Sequence, residues 1–341
     1  MKRRDFLFGI ASAIPAATLG ASLAVASAGS RGARIGLLLP ERGDVERQFL
    51  AGWRAAGAAT PSLTERLGAG HAQALKTVTG WLEGNRVDVI VSALSAHGPQ
   101  VRAHLEAHGV PMLVAEFGAN WARPSSGSAL IVRQGSRMAE GAFALGRHAA
   151  QSGSRTATIV TTSFDAGFDY VRAFELGFTG QGGTVQGTLL LDSSAVPWDA
   201  ARLAELGTDA VFVAASEAVS LQNLRVPPGM RLLAGGLAGW LLGSSTLETA
   251  LAGNGARHPA FTLGLEAAQT VVRANELMQS GLHALPALIQ TRTVRGLERL
   301  ELQGGRVVSR HTLPLAPQFD AGVQMLSASR SSGYSNAYPV R

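Results

Sequence analysis

The sequence predicts an α/β protein made of two doubly wound, Rossmann-like parallel sheets. Short unbroken apolar runs such as Ile35-Gly36-Leu37-Leu38-Leu39 and Val87-Asp88-Val89-Ile90-Val91 read as strands buried on both faces. Segments with helical spacing alternate with these runs, which implies crossover helices on both faces of a parallel sheet. The rhythm occurs twice, and the 313 residues after an N-terminal segment of 28 suffice for two domains.

The opening strand, Arg34 to Pro40, is followed by apolar residues at helical spacing over 44–58 (Val45, Phe49, Trp53, Ala56). A weak strand over 62–67 precedes a helix over 70–83. The strand 87–91 then leads to a helix over 99–108 and a strand over 111–114. In the second set, a strand over 157–161 and a helix over 166–180 come first. Strand 185–191, helix 198–206, strand 210–213, helix 217–224 and strand 231–234 follow, then a long helix over about 262–280. After residue 296 the pattern becomes alternating: Leu297 to Leu302 and Val307 to Leu313 flank Gln303-Gly304-Gly305 as a hairpin. The Ser-rich stretch 318–341 reads as a flexible tail.

Residues 1–28 have a different character. Lys2-Arg3-Arg4-Asp5-Phe6-Leu7, a mildly apolar run and Ala26-Ser27-Ala28 have the layout of a twin-arginine export signal, with cleavage expected after Ala28. The cationic head stays on the cytoplasmic side, the apolar stretch engages the twin-arginine translocase, and small residues suit the signal peptidase. A periplasmic location follows. The competing reading is an uncleaved anchor, since Phe6 to Ala28 approaches the roughly 20 residues a spanning helix needs. Pro15 and the early glycines and serines weigh against it.

The chain has no cysteine, which excludes disulfides, thiolate-held clusters, cysteine nucleophiles and a lipoprotein anchor. The formal charge is +6; removing Lys2, Arg3, Arg4 and Asp5 subtracts a net +2 and leaves +4, and these charges are scattered. No basic run carries interleaved aromatics, so nucleic acid is not an expected partner.

Catalytic motifs are weak. His104 and His108 lie four apart, but Leu105 occupies the position where a zinc protease needs its glutamate. Gly68 and Gly70 lack the rest of a dinucleotide fingerprint, and no phosphate-binding P-loop occurs. Ser95, in Ala93-Leu94-Ser95-Ala96-His97, only imitates a nucleophile elbow. No metal or cofactor is expected, and the chain is not expected to be an enzyme. An exported α/β hydrolase using Ser95 is kept as an alternative.

In order and spacing, several fragments together resemble the type 1 periplasmic binding proteins, the leucine/isoleucine/valine-binding family of ABC importers. They are Arg34 to Pro40, Val87 to Ser95, Gly109 to Val114, Ile131-Val132-Arg133, Thr158 to Gly167, Thr208 to Ala214 and Leu232 to Gly236, closed by the Gly-Gly hairpin. The resemblance spans about 33–317. It implies two lobes joined by three hinge crossovers, lobe 1 being 33–134 with 245–295 and lobe 2 being 135–244 with 296–317. A small-molecule ligand would be captured in the cleft between them and delivered to an ABC transporter permease in the inner membrane. A ligand sensor acting on a membrane receptor is the alternative of the same class.

Ligands of doubly wound sheets bind beyond the carboxyl ends of the strands. Lobe 1 therefore offers Ser92, Ser95, Glu116, Phe117 and Trp121, with Glu41 nearby. Lobe 2 offers Phe164, Asp165, Ser216, Glu217 and Trp240. Set against the family's amino-acid binders, the chain has Ala96 and Gly118 where hydroxyl residues are usual. Leu237-Ala238-Gly239-Trp240 also lacks the acid that pairs with a ligand ammonium. An unpaired buried ammonium is strongly unfavourable, so these departures favour a ligand other than an α-amino acid. Arg133 and Arg137, beside the first hinge, are the arginines best placed to grip an acidic one.

Overall fold

The computed structural model describes residues 32–57, 60–67, 71–93, 98–120, 129–191, 203–216, 224, 226–242, 246–252, 258–292, 296–303 and 306–313. The segments 1–28 and 318–341 lie outside them, as do Gly304-Gly305, most of 198–206 and all but the last residue of 217–224.

Strands β1 (Ile35–Leu39), β2 (Leu63–Arg66), β3 (Val89–Ala93), β4 (Met112–Glu116) and β5 (Ile131–Gly135) form one sheet, parallel throughout, in the order 2-1-3-4-5. The second sheet contains β6 (Thr156–Thr161), β7 (Thr184–Leu190), β8 (Ala210–Ala214), β9 (Arg231–Ala234) and β10 (Thr246–Ala252). β11 (Leu297–Gln303) and β12 (Arg306–Leu313) complete it, in the order 7-6-8-9-10-11-12. Its five parallel strands repeat the 2-1-3-4-5 pattern of the first sheet, and the expected hairpin is added antiparallel to β10. The chain passes between the sheets after β5, after β10 and before β11.

One boundary differs from expectation. The resemblance places Thr246–Ala252 in lobe 1, yet this strand pairs with β9 and β11, so the return to the first lobe comes after Ala252. The sequence Thr-Leu-Glu-Thr-Ala-Leu-Ala is rich in helix formers, and sheet pairing overrides that local preference.

In the first lobe, α2 (His71–Glu83) and α3 (Gly98–His108) cover one face over Leu38, Val78, Trp81, Ile90, Leu105 and Met112. α1 (Asp44–Ala55) and α6 (Pro259–Gln279) cover the other face, with α7 (Ala284–Thr291) beside α6. In the second lobe α4 (Met138–Gln151) and α5 (Asp169–Thr179) cover one face, where Phe174 stacks on Phe212 with centroids 4.0 Å apart. The opposite face buries Val160, Val211, Val213, Leu232, Leu300 and Leu302.

Both lobes use the same device at their helix pairs. α1 meets α6 at Gly52 and Gly264, and α4 meets α5 at Gly146 and Gly177. At each, a β-carbon would overlap the facing helix's backbone carbonyl oxygen: Phe261, Phe49, Phe174 and Phe143 respectively. Backbones therefore touch where other helix pairs interpose side chains about 8–10 Å from axis to axis.

Candidate functional site

A doubly wound sheet opens a crevice at its carboxyl edge, where strand order reverses. In the two sheets this falls between β1 and β3 and between β6 and β8. The carboxyl edges of the two sheets are fastened together by the loop leaving β4. Met138 donates its N–H to the Phe117 carbonyl at 2.9 Å and Ala139 to that of Gly118 at 2.9 Å. Tyr170 donates to the Ala119 carbonyl at 2.9 Å, and Asp169 to Asn120 Oδ1 at 3.0 Å. One first-lobe loop thus caps the first two N–H groups of both α4 and α5, donors that a helix start leaves unpaired. Gly118, at φ +70°, makes the turn this path requires. Met138 packs against Gly236, where a β-carbon would lie 2.6 Å from its sulfur.

Asp165 sits at the second lobe's crevice and is fully buried. Its Oδ2 accepts from Thr162 Oγ1 at 2.6 Å and from the Ser216 N–H and Oγ at 3.0 and 3.2 Å. Its Oδ1 accepts from the Tyr170 hydroxyl at 3.2 Å, and its own N–H donates to Thr162 Oγ1 at 2.9 Å. The structure therefore brings together two expected site residues, Asp165 and Ser216, but as partners of each other. The carboxylate ties the loops after β6 and β8 to the start of α5.

Glu116, at the end of β4, accepts at both carboxylate oxygens, each at 3.0 Å, from Arg133 Nη1 on the neighbouring β5. Arg137, at the N-terminus of α4 and with φ +54°, lies 3.5 Å from Glu140. Both hinge arginines are thus already paired with carboxylates of this chain. Burial pushes the Glu116 carboxyl up despite Arg133, with Glu140 adding repulsion, and burial likewise raises Glu140 against the pull of Arg137.

A carboxyl raised by folding holds its proton more tightly in the folded chain. Its contribution is present on the acid side and lost as pH rises above the unfolded value through the folded one. Urea midpoints at about pH 5 and about pH 8 should therefore fall more in the wild type than in Glu116→Gln. Equal falls in both proteins would remove Glu116 from the hinge's titration.

The remaining expected residues fall as follows. Ser92 lies within β3, in register with Leu38 and Val114, and is fully buried, so it is part of the sheet and not of a loop. Phe117 likewise does not line the cleft: it is 1 % exposed and belongs to the core that runs from the first lobe into the second. Phe164 is half-buried, edge-on to Phe168 with centroids 5.3 Å apart. Trp240, in the helical turn Ala238–Leu241, leans on the outer core of the second sheet. Ser95, Trp121 and Glu217 lie outside the described residues.

Asn120, Thr162 and Tyr170 carry much of this junction and were not picked out from the sequence. Thr162, three residues before Asp165, is the one with a local signal, since short Thr-x-x-Asp spacing favours such turns. Among the described residues, no group of three or more His, Cys, Asp or Glu side chains is placed to hold a metal.

Neither family models nor curated proteins show a match to the chain. Solved structures do. A solute-binding protein of an ABC transporter from R. palustris in complex with benzoate aligns with TM-score 0.60 and 18 % identity, over 83 % of this chain and 96 % of that one. One from Rhodopseudomonas palustris BisB5, in complex with 3,4-dihydroxy benzoic acid, gives TM-score 0.61 and 15 % identity over 83 % and 98 %. A branched-chain amino acid transporter substrate-binding protein from Streptococcus pneumoniae, in complex with isoleucine, gives 0.58 and 14 % over 83 % and 99 %. The chain has their two-lobed fold, that of the type 1 periplasmic binding proteins.

Proposed function

We propose that this chain is a periplasmic solute-binding protein, exported by the twin-arginine route, that captures a small molecule between its lobes for an ABC importer. The observation that carries this reading is the convergence of the two sheets' carboxyl edges across three chain crossings, the arrangement of the solute-binding structures to which it is similar. Partners are a permease in the inner membrane and, during export, the translocase.

The ligand class we favour is an aromatic carboxylate. Asp165, the fully buried acid of the junction, is held by this chain's own donors, and Ala96, Gly118 and Leu237 to Trp240 stand where the family's amino-acid binders are expected to carry hydroxyls and an acid, which leaves an amino acid's ammonium poorly served. Four similar structures are complexes with benzoate or its hydroxylated relatives. Ser95, Trp121, Phe164 and Glu217 are the residues proposed to face the ligand.

A thermal-shift series with benzoate, 4-hydroxybenzoate, leucine and isoleucine tests this. A ligand at 100 times its Kd stabilises by about 2.7 kcal/mol, which for a chain of this size raises Tm by a few degrees. The benzoates should do so and the amino acids should not. A shift with leucine or isoleucine alone would overturn the ligand class.

A further inference from the structure

Helix α6 starts where the chain, having left the second sheet after β10, has returned to the first lobe. That start is capped by a titratable side chain. His258 precedes the helix; its Nδ1 accepts from the Ala260 N–H at 3.2 Å, and its carbonyl accepts from the Thr262 N–H at 3.2 Å. Pro259, at the first helical position, has no N–H to satisfy, so the ring takes the first donor that the helix leaves open. Residues at this position are ordinarily Ser, Thr, Asp or Asn, whose side-chain oxygens accept throughout the neutral range. An imidazole nitrogen accepts only while it carries no proton.

Opposing pulls act on that half-buried ring. Burial holds its pKa below the usual imidazole range, and Asp44, the first residue of α1, opposes this by favouring the proton. A helix N-terminus also disfavours a cation. Of the other charged groups at the start of α1, Glu41 and Arg42 are exposed, Glu46 is buried against Arg66, and Arg47 binds Asp44 at 3.1 Å. The first turn of α6 itself contains no acid. While it caps the helix, His258 makes no ion pair with any described residue.

We propose that His258 is a pH-sensitive catch where the chain re-enters the first lobe: the neutral ring caps α6, and the protonated ring releases Ala260 and turns toward Asp44 on α1. The backbone contacts at Gly52 and Gly264 hold the two helices together, which keeps Asp44 within reach in both states. The direction follows from the cap. A histidine whose pKa is lowered by folding contributes stability that is present above its unfolded value. That contribution is lost as the pH falls below the unfolded value and through the folded one. Acid therefore loosens the first turn of α6, and a neutral medium secures it. The catch is independent of the interlobe reading and stands or falls separately.

The test follows the melting temperature of the full-length chain, His258→Asn and His258→Ala from about pH 8 to about pH 4, a range that brackets histidine titration. Asparagine keeps a capping acceptor that does not titrate, and alanine has none. At about pH 8 the wild type and His258→Asn should melt together, about 1–2 °C above His258→Ala, the scale of one lost cap in a chain of this size. Toward about pH 4 the wild type should fall to the His258→Ala value while His258→Asn keeps its lead. Glu116 and Glu140 titrate in all three proteins and cancel in the comparison. Nitrogen NMR of the ring should place its proton on Nε2 at the upper end, and Asp44→Asn should move the ring's titration to lower pH. A wild-type lead over His258→Ala that survives the whole range overturns the proposal. So does the absence of any lead at about pH 8, or a neutral ring with its proton on Nδ1. A ring titration that Asp44→Asn leaves unmoved overturns the turn toward α1.

Discussion

Gly52→Ala should collapse the first lobe's stability, and Gly177→Ala should do the same in the second. A β-carbon at Gly52 would overlap the Phe261 carbonyl oxygen and lie 2.8 Å from the Leu265 nitrogen; at Gly177 it would overlap the Phe143 carbonyl oxygen and lie 2.9 Å from its carbon. The obstacle in each case is helix backbone, which cannot rotate aside as a side chain can. Overpacking a core costs about 1–3 kcal/mol when side chains can absorb it, so about 3 kcal/mol or more is expected here. Gly80→Ala is the control. It lies within α2 with nothing within 4 Å of an added β-carbon, and there alanine should stabilise by about 0.5–1 kcal/mol. Urea denaturation of the three variants measures all three effects. Equal, small changes would show that the helix pairs do not approach as closely as described.

Asp165→Ala should destabilise the ligand-free chain by about 3 kcal/mol or more, since each buried donor left without its acceptor costs about 1–3 kcal/mol. The substitution leaves the Tyr170 hydroxyl, Thr162 Oγ1 and the Ser216 N–H without the acceptor they share. The same experiment separates two roles. A carboxylate kept for a ligand would, on removal, lower affinity and leave the empty protein's melting temperature nearly unchanged. A tie between loops lowers the melting temperature with no ligand present. The second outcome is expected, with Tyr170→Phe, which removes one donor, giving a smaller loss of about 1 kcal/mol.

Much of the fold was legible because buried parallel strands are written as unbroken apolar runs. Ile35–Leu39, Ala210–Ala214 and Arg231–Ala234 all appear where such runs occur. β10 was missed because Thr246–Ala252 has helical composition, and its strand state is imposed by β9 and β11. α4 was missed because two glycines dilute its pattern, and one of them, Gly146, is there for the contact with α5. Site residues were less legible. Position at a strand's carboxyl end correctly marked the neighbourhood of Asp165 and Ser216. Their mutual hydrogen bonds join residues 51 apart in sequence, and no local pattern carries that. Phe117 illustrates the same limit. As an aromatic just past β4 it read as cleft lining, but its carbonyl caps α4 and draws the ring into the core.

Ligand capture between the lobes is most directly tested by hydrogen exchange of the protein with and without 4-hydroxybenzoate. Slowed exchange is expected at both carboxyl edges together, in 116–120 of the first lobe and in 162–168 and 235–240 of the second. Binding with protection confined to one lobe, or no change at either edge under saturating 4-hydroxybenzoate, would contradict it.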